Sequence, residues 1–306
     1  MIEIREIGAD ELERWLTVAT VVRRDRALSA DEYLDWQRQA EDMAWFVASV
    51  DGEDAGCALA YVGWHSAPGT GMGEAFVLPE HRGAGVGFDL YRELASWVSE
   101  RGCVTLETTV AEDDAASLAW ANRHGFREIG RNSRLVLDLT AIDAPAVDPA
   151  EGVEIVTWAD RPDLTQALYT VALEAYPDVP GSEGNVMDPY ETWLSKDMHG
   201  DSDRPEATFI ALVDGEVAAY AKLSLSSSDS NVAYHDMTGV RRAFRGRGIA
   251  GALKRAEIAW AKQAGYERLE TSNEVRNEPI RRLNERHGYT VQPGVVVLHD
   301  SLAGIE

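Results

Sequence analysis

Cysteine is nearly absent. Cys57 and Cys103 are the two in 306 residues, with no Cys-x-x-Cys between them, so neither a disulfide framework nor a structural zinc site organises the chain, and no metal is expected. Both read as small core residues of a reduced protein. No stretch approaches ~18 uninterrupted apolar residues, which excludes a helical membrane span. The first residues, Met1-Ile2-Glu3-Ile4-Arg5-Glu6-Ile7, alternate as a strand does and lack the apolar centre of a signal peptide, so a cytoplasmic location is expected. Positive charge is scarce: 29 Lys and Arg face 52 Asp and Glu, a formal net charge of −23 spread along the chain. Counterion release from nucleic acid needs a basic face, so nucleic acid is excluded as a partner. The acidic surface aids solubility, or forms a mouth that steers a cation.

What is present is a motif that occurs twice. Arg82-Gly83-Ala84-Gly85-Val86-Gly87 and Arg245-Gly246-Arg247-Gly248-Ile249-Ala250 each precede an amphipathic pattern. Glycines keep side chains out of such a loop, so consecutive backbone N–H groups can converge on one anion at a helix start, where the macrodipole adds about half a positive charge. The step from position 82 to position 245 is an offset of 163, and it holds without insertion through Gly102/Gly265, Leu106-Glu107-Thr108/Leu269-Glu270-Thr271 and Arg123-His124-Gly125-Phe126/Arg286-His287-Gly288-Tyr289. Register kept over that distance is the mark of an internal duplication.

Each copy predicts the same order. Apolar strands at Ala44–Val50 and Thr208–Val213 lead through Asp51-Gly52 and Asp214-Gly215 into a second strand. After the motif come a helix ended by Gly102 or Gly265, a strand at Val104–Val110 or Tyr266–Ser272, and a helix from Asp114 to His124 or Glu278 to His287. Trp97 and Trp260 belong to the core, and His124 and His287 cap helix ends. The division expected is residues 1–142, a Pro-containing linker at 143–152, and residues 153–306, a mixed α/β fold in two tandem domains. The second copy carries a polar insertion from Tyr176 to Pro205 whose Tyr190 and Trp193 mark a wall over a pocket.

On these residues the chain resembles the GCN5-related N-acetyltransferase (GNAT) superfamily, whose cofactor motif is Gln/Arg-x-x-Gly-x-Gly/Ala at a strand-loop-helix junction. A dinucleotide fingerprint is the rival, since Gly246-Arg247-Gly248-Ile249-Ala250-Gly251 spells it. There the first glycine follows its strand directly, whereas Arg241-Arg242-Ala243-Phe244-Arg245 intervene here, and Phe88 stands where the first copy would need a third glycine.

The resemblance implies acyl-CoA N-acyltransferase domains that bind acetyl-CoA and move acetyl directly to a small-molecule primary amine, as a monomer or homodimer. Gly246, Arg247, Gly248, Ile249 and Ala250, bordered by Arg245, then hold the cofactor phosphates. Val77, Arg82, Gly83, Gly85, Val86 and Gly87 are the first-copy equivalents. Val240 presents its N–H to the thioester oxygen. Asn273 and Asn277 are candidates to bond the cofactor or acceptor, with a helix cap the alternative for Asn277. Arg241, Arg242, Arg245, Arg247, Lys254 and Arg255 form a basic island suited to phosphates, whereas acidic residues crowd the first loop, so the second copy is expected to be the working one. Asp236, four residues before Val240 and on its face of a regular strand, is the candidate base; Glu74 and His235 point away from those faces. Where relatives carry a tyrosine aimed at the CoA sulfur, this chain has Asn284 and Ala121, so tyrosine-based proton donation is excluded. A non-catalytic acyl-CoA sensor and a mycothiol-synthase-like enzyme are the alternatives.

Overall fold

Two-residue Asp-Gly turns set the hairpins on which both halves are built. In the computed structural model, which describes residues 1–23, 29–63, 67–181, 187–225 and 229–303, φ is positive at Asp51 and Gly52, and again at Asp214 and Gly215. Positive φ at both central residues gives the turn whose twist matches the strands it joins.

The first half runs β1 (Ile2–Ile7), α1 (Leu12–Val22), α2 (Ala30–Gln39), β2 (Asp42–Val50), β3 (Glu53–Val62), β4 (Thr70–Val77), α3 (Val86–Glu100), β5 (Thr105–Ala111), α4 (Ala115–Arg123) and β6 (Arg127–Asp138). The second runs β7 (Val153–Thr157), α5 (Thr165–Ala175), α6 (Tyr190–Trp193), β8 (Asp203–Val213), β9 (Glu216–Leu225), β10 (Val232–Val240), α7 (Ile249–Gln263), β11 (Arg268–Glu274), α8 (Glu278–Arg286) and β12 (Thr290–Ser301). α3 and α7, β5 and β11, α4 and α8 all begin and end at the offset of 163 that the sequence repeat fixes.

The chain forms two compact units that do not follow the linear division into 1–142 and 153–306. One is Met1–Gly130 with Val295–Glu306; the other is Arg131–Gly294. In the first, β1-β2-β3-β4 pair antiparallel, β4 and β5 pair parallel, and Val295–Ser301 of β12 closes the sheet against β5. In the second, β7-β8-β9-β10 pair antiparallel, β10 and β11 pair parallel, and Asn132–Asp138 of β6 lies against β11. The last strand of each half thus completes the other unit. Burial explains the exchange: Leu135, Leu137 and Leu139 pack with Ile258, Ala261 and Leu269, while Val296, Leu298 and Leu302 pack with Leu106 and Phe126. Both cysteines are buried thiols.

In each unit helices cover both faces of the sheet. Ile249, Leu253 and Ala256 of α7 press on Phe209, Ala211 and Val213, and Leu168, Val171 and Ala172 of α5 press on Ile210, Leu212 and Tyr220 from the other side. The stretch 143–150 has no helix or strand.

Candidate functional site

The parallel pairing of β10 with β11 covers only Val232–Tyr234 against Arg268–Glu270. Beyond that the two strands part, and β10 runs on to Val240. β4 and β5 do the same after Thr70–Met72. A parting strand pair leaves backbone groups unpaired on its inner edges, available to a guest. Arg241 N–H donates to Ala218 O on β9 at 2.9 Å, so Val240, one residue back on an extended strand, turns its N–H toward the gap. Leu78 N–H on Ala55 O does the same for Val77.

Each gap opens beside a glycine loop. Gly83 and Gly85 have φ of 78° and 96°, Gly246 and Gly248 both 77°, and Gly85 and Gly248 are the N-caps of α3 and α7 with no side-chain cap. A Cβ at Gly83, Gly246 or Gly248 would meet nothing within 4 Å, so the cradle is open; at Gly85 Ile2 Cδ1 stands 3.6 Å away. The motif arginine secures the loop from behind: Arg82 Nε donates to Val77 O at 3.2 Å and Arg245 Nε to Val240 O at 2.9 Å. This open, helix-capped cradle fits a pyrophosphate.

Asp236 is placed differently from the sequence expectation. β10 carries a bulge between His235 and Met237, and a bulge puts two successive residues on one side of a strand. Val240 faces α7, packing with Ile249 and Leu253, whereas Asp236 turns to the α5 side and meets Lys222 Nζ at 2.7 Å. Lys222 also contacts Asp203 at 2.7 Å and the Asp197 carbonyl. Burial opposes the charge of this ammonium, but Asp236 and Asp203 overcome it and hold its pKa above the ordinary lysine value. Burial dominates at Asp203 and raises its carboxyl. Asp236 keeps an exposed edge, 46% of its side chain, so it presents an anchored carboxylate to solvent on that face. Glu74 turns away from Val77 as expected, toward Arg23 and Thr109.

The amides on α8 and β11 form a second group. Asn284 is fully buried; its Nδ2 donates to Asn273 Oδ1 at 2.8 Å, and its Oδ1 has no partner among the described residues. Asn277 stands at the N-cap of α8 without capping it, whereas its counterpart Asp114 accepts from Ser117 N. His124 and His287 lie 2.8 Å from the carbonyls four residues earlier, the helix-end role expected. Trp97 is buried, and Trp260 borders the core.

Sequence reasoning missed a buried polar cluster beneath the gap. His235 Nε2 bonds Tyr289 Oη, and its Nδ1 lies 3.1 Å from Glu257 Oε2, with Lys254 Nζ 3.8 Å from the same oxygen. The equivalents of Lys254, Glu257 and Tyr289 are Tyr91, Leu94 and Phe126. That substitution of polar for apolar residues between the copies was the available signal. Lys254, 1% exposed, therefore cannot meet a phosphate, a correction to the basic island. All of the rest but Arg247 is engaged as well: Arg241 with Glu174 and Glu216, Arg242 and Arg245 with Asp178, and Arg255 with the Asp148 carbonyl. Arg247 is exposed and has no ionic partner among the described residues. Trp193 is sunk in the core against Tyr169, with Tyr190 at its edge, so Trp193 anchors the insertion rather than lining open space; 182–186 of that insertion lie outside the described residues.

A cavity of about 630 Å³ beside α3, lined by Ile2, Asp89, Arg92 and Glu93, includes neither glycine loop. Backbone donors converge at the gaps instead. No helix among the described residues is long and apolar enough to cross a membrane.

The fold has close structural likenesses. A GCN5-related N-acetyltransferase from Sphaerobacter thermophilus superposes with a TM-score of 0.78 at 21% identity, over 98% of this chain and 96% of that one. A tandem GNAT protein from the clavulanic acid biosynthesis pathway gives 0.78 and 21%, over 99% of both. In sequence, the L-2,4-diaminobutyric acid acetyltransferase of Nocardia farcinica is 34% identical over 91 residues, 30% of this chain. The match spans about half of that relative, 47% of its length. With the Acetyltransferase (GNAT) family model matching residues 9–126 and again 165–289, once in each half and over most of the sequence, the chain belongs to the GNAT acetyltransferase family.

Proposed function

We propose that the chain is an N-acetyltransferase that moves acetyl from acetyl-CoA to a primary amine of a small molecule, by direct transfer in a ternary complex, and that Arg131–Gly294 is the working unit. The observation that carries this reading is an open glycine cradle beside a strand pair that parts at His235. When bound, acetyl-CoA supplies a thioester-activated acetyl group and the anionic phosphates that suit the cradle. The N–H groups of Arg247, Gly248, Ile249 and Ala250 hold those phosphates. The Val240 N–H donates to the carbonyl where charge develops; one such donor contributes about 3 kcal/mol, roughly a hundredfold in rate. Asn284, fully buried, holds the half-buried Asn273 side chain in place on β11 beside the gap. Asp236, steadied by Lys222, draws in the acceptor ammonium and takes its proton directly or through water. With asparagine in place of tyrosine, the sulfur leaves as thiolate, which a thiol pKa near ~8.5 allows.

The other unit keeps the loop but has Ala121 for Asn284 and spends Asp114 on a helix cap, so it serves mainly as scaffold. The Nocardia farcinica relative acts on a diamino acid by name, which supports a small amino compound as acceptor class. The test is thiol release from acetyl-CoA with a panel of primary amines and diamino acids. Turnover with at least one acceptor is expected, and binding without turnover for all of them would favour a sensor. Arg245→Glu should weaken acetyl-CoA binding at least about tenfold, since charge-assisted bonds are worth ~1.5–3 kcal/mol. Arg82→Glu should do far less, and equal effects would refute the ranking of the units.

A further inference from the structure

Two of the arginines beside the working loop are already occupied by an anion of the chain itself. Asp178 Oδ1 lies 2.8 Å from Arg242 Nη2, and its Oδ2 lies 2.7 Å from Arg245 Nη2. The two guanidiniums bracket one carboxylate, and together, Arg242 first, they pull the Asp178 pKa down to about 2. Glu174 reinforces the contact from the preceding turn, accepting from the Arg242 backbone N–H at 3.1 Å and from Arg241 Nε at 2.9 Å. The arrangement is exposed, with Asp178 at 35% and Arg242 and Arg245 at 58% and 42% of their side chains, so another anion can reach it.

Asp178 sits in a short turn, Tyr176–Asp178, directly after α5. From there the chain crosses toward β11, and a Cβ at Gly181 would lie 3.7 Å from Glu274 Cγ. Residues 176–181 therefore reach from the loop at the end of β10 to the end of β11, the two sides of the gap. α5 also carries the anchor of the insertion: Tyr169 Oη donates to Asp188 O at 2.8 Å, and Lys196 pairs with Asp188 at 3.4 Å.

We infer that Asp178 is an intramolecular occupant of a phosphate subsite in the Arg131–Gly294 unit, and that Arg242 and Arg245 exchange it for a phosphate of CoA when the cofactor binds. The inference rests on the assignment of that unit as the cofactor site. A phosphate carries more charge than a carboxylate and accepts the same paired N–H bonds, so the exchange favours the cofactor. Release of Asp178 frees the 176–181 strap, and cofactor occupancy is thereby linked to the acceptor side through α5 and the insertion.

The test is calorimetric titration of the full chain with CoA at low ionic strength. Asp178→Asn removes the competing charge with little change of shape and is expected to tighten CoA binding about three- to tenfold, the range for exposed pairs released together. Asp163→Asn, which breaks the exposed Arg161 pair elsewhere, controls for net charge and is expected to change it less than twofold. In hydrogen exchange, CoA should raise exchange across 176–181 in the wild type and leave it unchanged in Asp178→Asn. Equal affinities for the two variants, or a strap whose exchange does not respond to CoA, would overturn the latch. Gly248→Val distinguishes the underlying reading: affinity and stoichiometry undiminished in that variant would overturn the assignment of the unit, and the latch with it.

Discussion

At Gly294 there is no room for a side chain, because a Cβ would stand 1.8 Å from Asn132 O and 2.9 Å from Ser133 Cα. The obstacle is backbone, which cannot swing aside as a side chain can. Gly130, by contrast, has nothing within 4 Å of its Cβ position. Gly294→Ala should destabilise the Arg131–Gly294 unit by about 2–3 kcal/mol, the upper range for overpacking, while Gly130→Ala should stay within ~0.5 kcal/mol. Urea denaturation of the two variants checks this, and similar midpoints would mean that the backbones separate readily. At this scale the sequence identified loop glycines, capping histidines and core tryptophans because their jobs follow from local conformation. It could not identify Gly294, whose requirement comes from a strand some 160 residues away in the chain.

Among the elements, α7 buries two charged side chains where its duplicate α3 buries none. Lys254 and Glu257 face the sheet from α7, His235 answers from β10, Tyr289 from the residue just before β12, and His287 adds a nearby positive influence from the end of α8. Burial, then Lys254, lowers the His235 pKa below its ordinary value, with Glu257 opposing. The unfolded chain takes up that proton near the ordinary histidine value of 6.5, whereas the native one resists until lower pH. The contribution of His235 is therefore intact above about pH 6.5 and shrinks as pH falls below it. Calorimetry should show Tm falling between pH 7 and 5, and His235→Asn should flatten that slope; an unchanged slope would place the titration elsewhere. α3, α4, α7, α8 and the Asp-Gly hairpins were legible because each has a period or a turn signature and the duplication supplied the helix boundaries twice, whereas α1, α2, α5 and α6 lie outside the repeated register and were not read from the sequence. The bulge in β10 was not, since one extra residue leaves the composition of a strand unchanged while reversing which face Asp236 occupies. The cores of α3 and α7 looked alike from their apolar spacing, which passes over the charged residues between.

For the whole molecule, the exchanged strands matter most. A chain ending after Gly294 retains every residue of one unit and deprives the other of Val295–Ser301, exposing the edge of β5 and removing Val296, Leu298 and Leu302 from its core. At ~1.5–3 kcal/mol for each buried side chain, the loss is about 5 kcal/mol or more, comparable with a domain's whole stability. Amide exchange should then find 1–130 unprotected with 131–294 still protected. Protection retained in 1–130 would show that β5 finds another cover. The sequence could not reveal the exchange, because Leu135-Val136-Leu137 and Val295-Val296-Val297-Leu298 are apolar runs that suit either sheet.

During synthesis the same arrangement sets a schedule. β5 is made, and can leave the ribosome, long before Val295–Ser301, the strand that covers its edge. Throughout that interval β5 is an open edge that a neighbouring nascent chain could pair with, a hazard for this protein whenever many copies are translated close together.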